Sequence, residues 1–135
     1  MNGYLKYVIK NCETALEELC RINTELRAGM SPDSSADVNK IGAYNRMIQD
    51  YLIIRVAGLF DKDTRTASFA NTFDNNPIFT SARDETIVKY ILDTRNKFVA
   101  HSEKEWIENG NFPETDKICS SNLGEILKNL EGLLS

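Results

Sequence analysis

The sequence predicts an all-α protein, folded as an antiparallel bundle of four to five helices. Apolar residues recur at three- and four-residue steps over most of the chain, which is the period of an amphipathic helix. No segment sustains the alternation of apolar and polar residues, with β-branched enrichment, that is typical of strands. A chain of 135 residues fits a single domain covering residues 1–135. Short connections between the helical segments favour antiparallel neighbours.

Two long helices are predicted in the first half of the chain. The first covers roughly residues 3–28 and stops before Gly29, a residue that commonly follows a helix. The second follows the turn at residues 31–35 and ends near Phe60. We interpret Tyr4 and Tyr7 as aromatic residues at the rim of the core. The inward stripe predicted for the second helix is Val38, Ile41, Tyr44, Ile48, Leu52, Val56 and Leu59.

The second half is predicted to hold two more helices after a less regular stretch. Residues 61–80 contain turn-forming sequences at both ends and one short helical turn over 68–73. A third helix is expected to begin near Ser81, with Asp84 three residues later in a capping arrangement, and to continue to about residue 108. A fourth starts within residues 113–116, and its inward residues are Cys119, Leu123, Ile126, Leu130 and Leu133.

Composition and charge exclude several classes of protein. A chain that is 41% hydrophobic and 27% charged is globular rather than disordered. No apolar run approaches the roughly 20 residues that a membrane-spanning helix needs, and the N-terminus does not resemble a signal peptide. We therefore expect a cytoplasmic protein with no membrane partner. A net charge of −4 disfavours a nonspecific DNA-coating protein. A protein of this net charge can still carry a local basic patch that binds RNA.

The cysteines are predicted to be reduced and to serve in packing. On one continuous helix, Cys12 and Cys20 would lie about 12 Å apart along the axis, too far for a disulfide. With Cys119 the count is odd, no C-x-x-C pair is present, and the single histidine does not complete a zinc site of usual spacing. We predict no bound metal and no cofactor.

The third predicted helix carries an arginine in an unusual position. With Ile87 set to 0° on a helical wheel, Arg95 falls at about 80°, in the middle of the apolar arc, and His101 falls at about 320°, at its edge. In the structural interpretation Arg95 extends its guanidinium to the rim of the core, and His101 is a polar or capping residue. In the functional interpretation the guanidinium binds phosphate oxygens and the imidazole transfers a proton near neutral pH.

The segment Thr94–Ser102 resembles the Arg-x(4–6)-His motif of the HEPN superfamily. Arg95 and His101 are separated by five residues, and Asn96 matches the polar residue that often follows the motif arginine. The upstream segment Leu59–Thr66, followed by Phe69, is similar to the abortive-infection-associated branch of that superfamily. The resemblance covers roughly residues 40–106.

This resemblance implies a function and a set of site residues. Many catalytic members are metal-independent endoribonucleases that act as toxins, in toxin–antitoxin systems or in phage defence. It implies that His101 is the general acid or base, that Arg95 binds and stabilises the phosphate, and that Asn96 orients His101 or the phosphate. Lys97 and Ser102 are the expected substrate-binding residues. The implied partners are a second copy in a homodimer, an RNA substrate, and an antitoxin or regulatory protein.

Helical geometry separates the two motif residues. On a continuous α-helix, Arg95 and His101 lie about 120° and about 9 Å apart, so they do not converge within one chain. Either the helix breaks near Ala100, or the site is completed across a dimer, as the apolar surroundings of Arg95 favour. Two alternatives stay open: a non-catalytic helical interaction module with the same fold, and a helical domain outside the superfamily.

Overall fold

The structure, a computed structural model, describes residues 1–29, 38–99, 104 and 113–134. Every regular element in these ranges is helical and none is a strand, which confirms the predicted all-α class. The elements are α1 (Asn2–Arg27), α2 (Val38–Leu59), α3 (Ala70–Phe73), α4 (Pro77–Arg83), α5 (Thr86–Thr94), a π-helical segment (Arg95–Val99), α6 (Thr115–Cys119) and α7 (Leu123–Glu131).

Helices α1 and α2 form an antiparallel pair. Arg55, near the end of α2, donates a hydrogen bond to the hydroxyl of Tyr4 at the start of α1. Gly29 follows α1 with a φ of 72°, a left-handed conformation in which glycine avoids the steric cost of a Cβ, so the predicted stop is confirmed. The residues that α1 buries recur at helical spacing and are Leu5, Val8, Ile9, Cys12, Leu19 and Ile22.

The inward face of α2 differs from the predicted stripe. Tyr44 was predicted to face the core but is 52% exposed. Tyr4 and Tyr7 are also exposed, so placing them at the core rim was wrong. The physical reason is that α2 is apolar on two sides, and spacing alone does not determine which side faces α1 and α5. Its buried residues are Asn45, Gln49, Leu52, Ile53, Val56, Ala57 and Leu59.

Side chains bonded to the backbone fold the connection between α2 and α4. The Ser68 hydroxyl donates to the carbonyl of Asp61 over 2.6 Å. The amide of Asn71 donates to the carbonyls of Asp63 and Thr66, over 2.7 and 2.6 Å. These bonds bring Phe69 back against the end of α2, where its side chain is fully buried. The short helical turn predicted over 68–73 is confirmed as α3.

The predicted third helix is divided into several pieces, and its predicted start was wrong. Helix α4 begins at Pro77, where Oδ1 of Asn76 accepts the backbone N–H of Ile78 over 2.8 Å and caps the helix. It ends at Arg83 and is followed by Asp84, which therefore does not belong to an N-terminal capping box. The chain is extended at Glu85 and then starts α5. Each of two short helices can turn its own apolar residues toward the core. One straight helix could not bury all of these residues.

The C-terminal helices close the bundle against α1 and α4. The predicted fourth helix is interrupted after Cys119 and continues as α7, with Leu123, Ile126 and Leu130 buried as predicted. Cys119 forms a disulfide with Cys20 of α1, with Cα atoms 5.5 Å apart. The prediction of three reduced cysteines was wrong, because residues 99 positions apart in the chain meet only through the tertiary fold. Cys12 is a free, buried thiol.

The hydrophobic core joins the long helices to the short ones. Residues of α1, α2, α4, α5, α6 and α7 all contribute buried apolar side chains to one cluster. Phe60 and Phe79 stack within it, with ring centroids 5.4 Å apart. Among the residues that the structure describes, no helix has both the length and the apolar character needed to cross a membrane.

Candidate functional site

The predicted motif begins where the α-helix changes to a π-helix. Thr94, the last residue of α5, is buried, and Arg95 opens the π-helical segment. A π turn closes hydrogen bonds from i to i+5 and holds about one residue more than an α turn. The chain therefore stays helical through Arg95–Val99, but as a π-helix and not as the predicted α-helix, and wheel angles based on 100° per residue do not apply beyond Arg95. Single π turns occur frequently at functional sites.

Arg95 is held by its neighbour in the chain. Its side chain is half-buried, and Nε–H donates a hydrogen bond to Oδ1 of Asn96 over 2.7 Å. Asn96 is itself exposed. The bond uses one of the five N–H donors of the guanidinium. The planar guanidinium has the geometry that binds phosphate oxygens in pairs.

Lys97 lies on the outer side of the same segment. Its Nζ is 3.5 Å from Oδ1 of Asp93, one helical turn earlier, and both side chains are about half exposed. A surface ion pair of this kind contributes little to stability.

The structure places three of the five predicted site residues. Arg95, Asn96 and Lys97 are consecutive, and the first two are joined by a hydrogen bond. His101 and Ser102 lie outside the described residues.

A shallow depression on α5 adjoins the motif. It is lined by Thr86, Lys89, Tyr90, Leu92, Asp93 and Asn96. The motif and the depression therefore share Asn96, whose amide can contact a molecule seated there.

Tyr90 anchors the segment that follows the motif region, a role that the sequence did not reveal. Its hydroxyl accepts a hydrogen bond from the backbone N–H of Glu114 over 2.9 Å. The ammonium of Lys117 lies 5.1 Å from the centroid of its ring, within the range of a cation–π contact. On the helical wheel of the predicted third helix, Tyr90 falls at about 300°, at the edge of the apolar arc. This position was only a weak signal for such a contact.

Two buried amide side chains on α2 were also not predicted from the sequence. Asn45 and Gln49 are buried one helical turn apart, and α2 contacts both α5 and the π-helical segment. Oε1 of Gln49 accepts a hydrogen bond from the hydroxyl of Thr115. Oδ1 of Asn45 has no donor among the described residues. The signal in the sequence was a pair of amides four residues apart within an otherwise apolar segment.

The upstream segment that contributed to the resemblance forms contacts within its own loop. The carboxylate of Asp63 accepts hydrogen bonds from the backbone N–H, Nε and Nη2 of Arg65, at 2.8 to 3.1 Å. The hydrogen bond from the Arg65 side chain holds the pKa of Asp63 below its ordinary value. These bonds shape the turn before Phe69 and give Asp63 and Arg65 a structural role.

No protein-family model, curated protein or solved structure matches the chain. Support for the site therefore comes from its own residues. Within the described ranges, no three His, Cys, Asp or Glu residues are grouped so that they could hold a metal ion.

Proposed function

We propose that this protein is a metal-independent endoribonuclease of the HEPN type, whose site is completed by two copies of the chain. The observation that carries the proposal is the Arg95 guanidinium, half-buried at the start of a π turn and oriented by Asn96 over 2.7 Å. An arginine prepared in this way suits a substrate with paired, negatively charged oxygens. A phosphodiester of RNA is such a substrate.

The proposed reaction is cleavage by the RNA's own 2′-hydroxyl. His101 accepts the 2′-hydroxyl proton as the oxygen attacks the adjacent phosphorus, and the bond to the 5′ oxygen breaks. The leaving 5′ oxygen takes up a proton from water and His101 returns its proton to solvent, so the products are a 2′,3′-cyclic phosphate and a free 5′-hydroxyl. Arg95 offsets the negative charge that develops on the phosphate oxygens. Asn96 keeps the guanidinium in place, and Lys97 and Ser102 bind the flanking backbone.

The partial burial of Arg95 supports a site that a second copy completes. Its side chain is half-buried within one chain, at the end of α5. A cleft between two copies would exclude water from the guanidinium and strengthen its interaction with phosphate.

Cleavage of RNA in the presence of EDTA tests this proposal. Wild-type protein is expected to cut single-stranded RNA and leave cyclic phosphate ends, and His101→Ala and Arg95→Ala are expected to lose at least about a hundredfold in rate. Arg83→Ala is the matched control, because Arg83 is also a half-buried arginine but lies at the end of α4. The proposal fails if wild-type protein leaves RNA intact, or if the three variants cleave equally.

A second candidate is a non-catalytic interaction module with the same fold. The exposed apolar residues of α2, Tyr44, Met47, Tyr51 and Ile54, favour this candidate because such surfaces mark protein contacts. It predicts that RNA stays intact in every assay while Arg95→Ala weakens binding to a regulatory protein. An antitoxin of the toxin–antitoxin type would be such a partner.

A further inference from the structure

An exposed apolar stripe runs along α2. Tyr44, Met47, Tyr51 and Ile54 are exposed by 52, 69, 40 and 47%. Their spacing of three, four and three residues puts them on one face of the helix, in the a and d positions of a heptad. We call these four residues the α2 stripe.

The α2 stripe is separate from the face that α2 turns to the core. Leu52, Ile53 and Val56 are fully buried on that other face. A helix that is apolar on two faces uses one face in its own fold, and the second is available to a partner. Gly58 continues the same spacing, and a Cβ added there would meet nothing within 4 Å. The end of the stripe is therefore open to close approach by another helix.

Two charged residues border the α2 stripe. When the stripe occupies the a and d positions, Asp50 is at g and Arg55 is at the following e position. The half-buried Asp50 has no hydrogen-bond or ion-pair partner among the described residues. Arg55 contacts neutral groups, the hydroxyls of Tyr4 (Nη2 at 3.4 Å) and Tyr51, and no carboxylate among those residues forms an ion pair with it. Neither charge is therefore paired with an opposite charge within the described part of the chain.

The positions of these two charges determine which partner fits. In a parallel pair of helices, a g residue of one helix faces the following e residue of the other. Two parallel copies of α2 would therefore oppose Asp50 of each copy to Arg55 of the other, twice by symmetry. In an antiparallel pair, e faces e and g faces g, so this pairing does not form. We propose that the α2 stripe binds a second copy of this chain, with the two α2 helices parallel and Asp50 of each copy paired with Arg55 of the other.

This interface goes beyond the proposed ribonuclease activity and does not rest on it. The stripe, its flanking charges and its spacing are independent of His101 and of any RNA. Because α2 contacts the π-helical segment within each chain while the α2 stripe lies on its exposed face, a dimer joined at the stripe would not by itself bring the two motif segments together.

Sedimentation velocity over about 1 to 100 μM protein, without RNA, tests whether the α2 stripe mediates dimerisation. Ile54→Asp and Ile78→Asp form a matched pair, because both isoleucines are 47% exposed and only Ile54 lies on the stripe. We expect wild type and Ile78→Asp to dimerise and Ile54→Asp to raise the dissociation constant at least about tenfold. Circular dichroism checks that each variant is folded. A wild type that stays monomeric throughout, or equal effects of the two substitutions, would overturn the proposal.

Charge reversal tests the parallel arrangement separately. Asp50→Arg or Arg55→Asp alone would set like charges against each other and weaken the dimer about tenfold. A mixture of the two single variants would restore both opposite-charge pairs, so it should associate about as tightly as wild type. Association of the mixture no tighter than that of either variant alone would refute the parallel pairing. RNA cleavage is measured in a separate assay, so loss of activity with an intact dimer would contradict only the proposed function.

Discussion

Nε of Arg95 lies 2.7 Å from Oδ1 of Asn96, so two consecutive residues of a π turn share a hydrogen bond. Neighbouring residues on a regular α-helix point about 100° apart and do not face each other. The bond therefore depends on the position of Arg95 at the junction between α5 and the π-helical segment.

Removing the amide of Asn96 is expected to slow RNA cleavage. Asn96→Ala deletes the acceptor that fixes Arg95, and we expect about a tenfold lower single-turnover rate, the kinetic equivalent of one hydrogen bond. Asn96→Asp should reduce the rate further, because a carboxylate competes with phosphate for the guanidinium. Asn129→Ala, at an exposed position on α7, is the control. Equal rates for Asn96→Ala and Asn129→Ala would show that Asn96 does not orient Arg95.

The thiols of the protein should be counted in three steps. Burial raises the pKa of the Cys12 thiol to about 12, so little thiolate is present at pH 8 and native protein should not react with a thiol reagent. Unfolding without reductant should expose one thiol per chain, because Cys20 and Cys119 are bonded to each other. Unfolding with reductant should expose three. Three thiols in the unfolded, unreduced sample would contradict the disulfide.

Cys20→Ser is expected to destabilise the fold. The disulfide closes a loop of about 100 residues, and its loss should lower the free energy of unfolding by about 2–5 kcal/mol. Urea unfolding measures the change. Wild-type protein with reductant is the internal control and should unfold close to the variant. A variant as stable as the oxidised wild type would indicate that the bond contributes nothing to stability.

Asp50→Asn should stabilise the single chain at neutral pH. Burial raises the pKa of Asp50, so its ionisation costs folding free energy above the folded pKa, and this cost disappears as the pH falls through the folded pKa toward the unfolded value. We expect the variant to be more stable than wild type at pH 7 and equal to it at acid pH. The measurement is urea unfolding at protein concentrations too low for dimerisation.

Asp93→Asn is the control for this experiment, because Asp93 is exposed and paired with Lys97. It should not stabilise the protein at pH 7. An equal gain from both substitutions would point to net charge rather than to the burial of Asp50.

Local patterns in the sequence were sufficient to predict the long helices. The spacing of apolar residues and the position of Gly29 gave the bounds of α1 to within one residue at each end, and the predicted end of α2 near Phe60 is confirmed. The inward residues of α7 were also predicted, because its polar and apolar faces differ strongly. In α1 and α7 one face is predominantly apolar, so local periodicity and burial agree.

The remaining features depend on contacts between distant residues. The break at Asp84 and Glu85 has no glycine or proline, and it separates α4, which packs against α7, from α5, which packs against α2. Tyr44 faces outward because α1 and α5 cover the other side of α2. In the proposed site, Arg95 was selected for its place in the apolar arc and Asn96 through the family resemblance, but neither the π turn nor the bond between these residues follows from helical periodicity.

The disulfide between Cys20 and Cys119 also changes the covalent shape of the chain. The oxidised polypeptide is a ring with two tails, and α2, α4, α5 and the motif segment all belong to the ring. A single proteolytic cut anywhere inside the ring yields two chains that the disulfide still holds together. Such a nicked protein would keep its mass on a non-reducing gel and would release two fragments only after reduction.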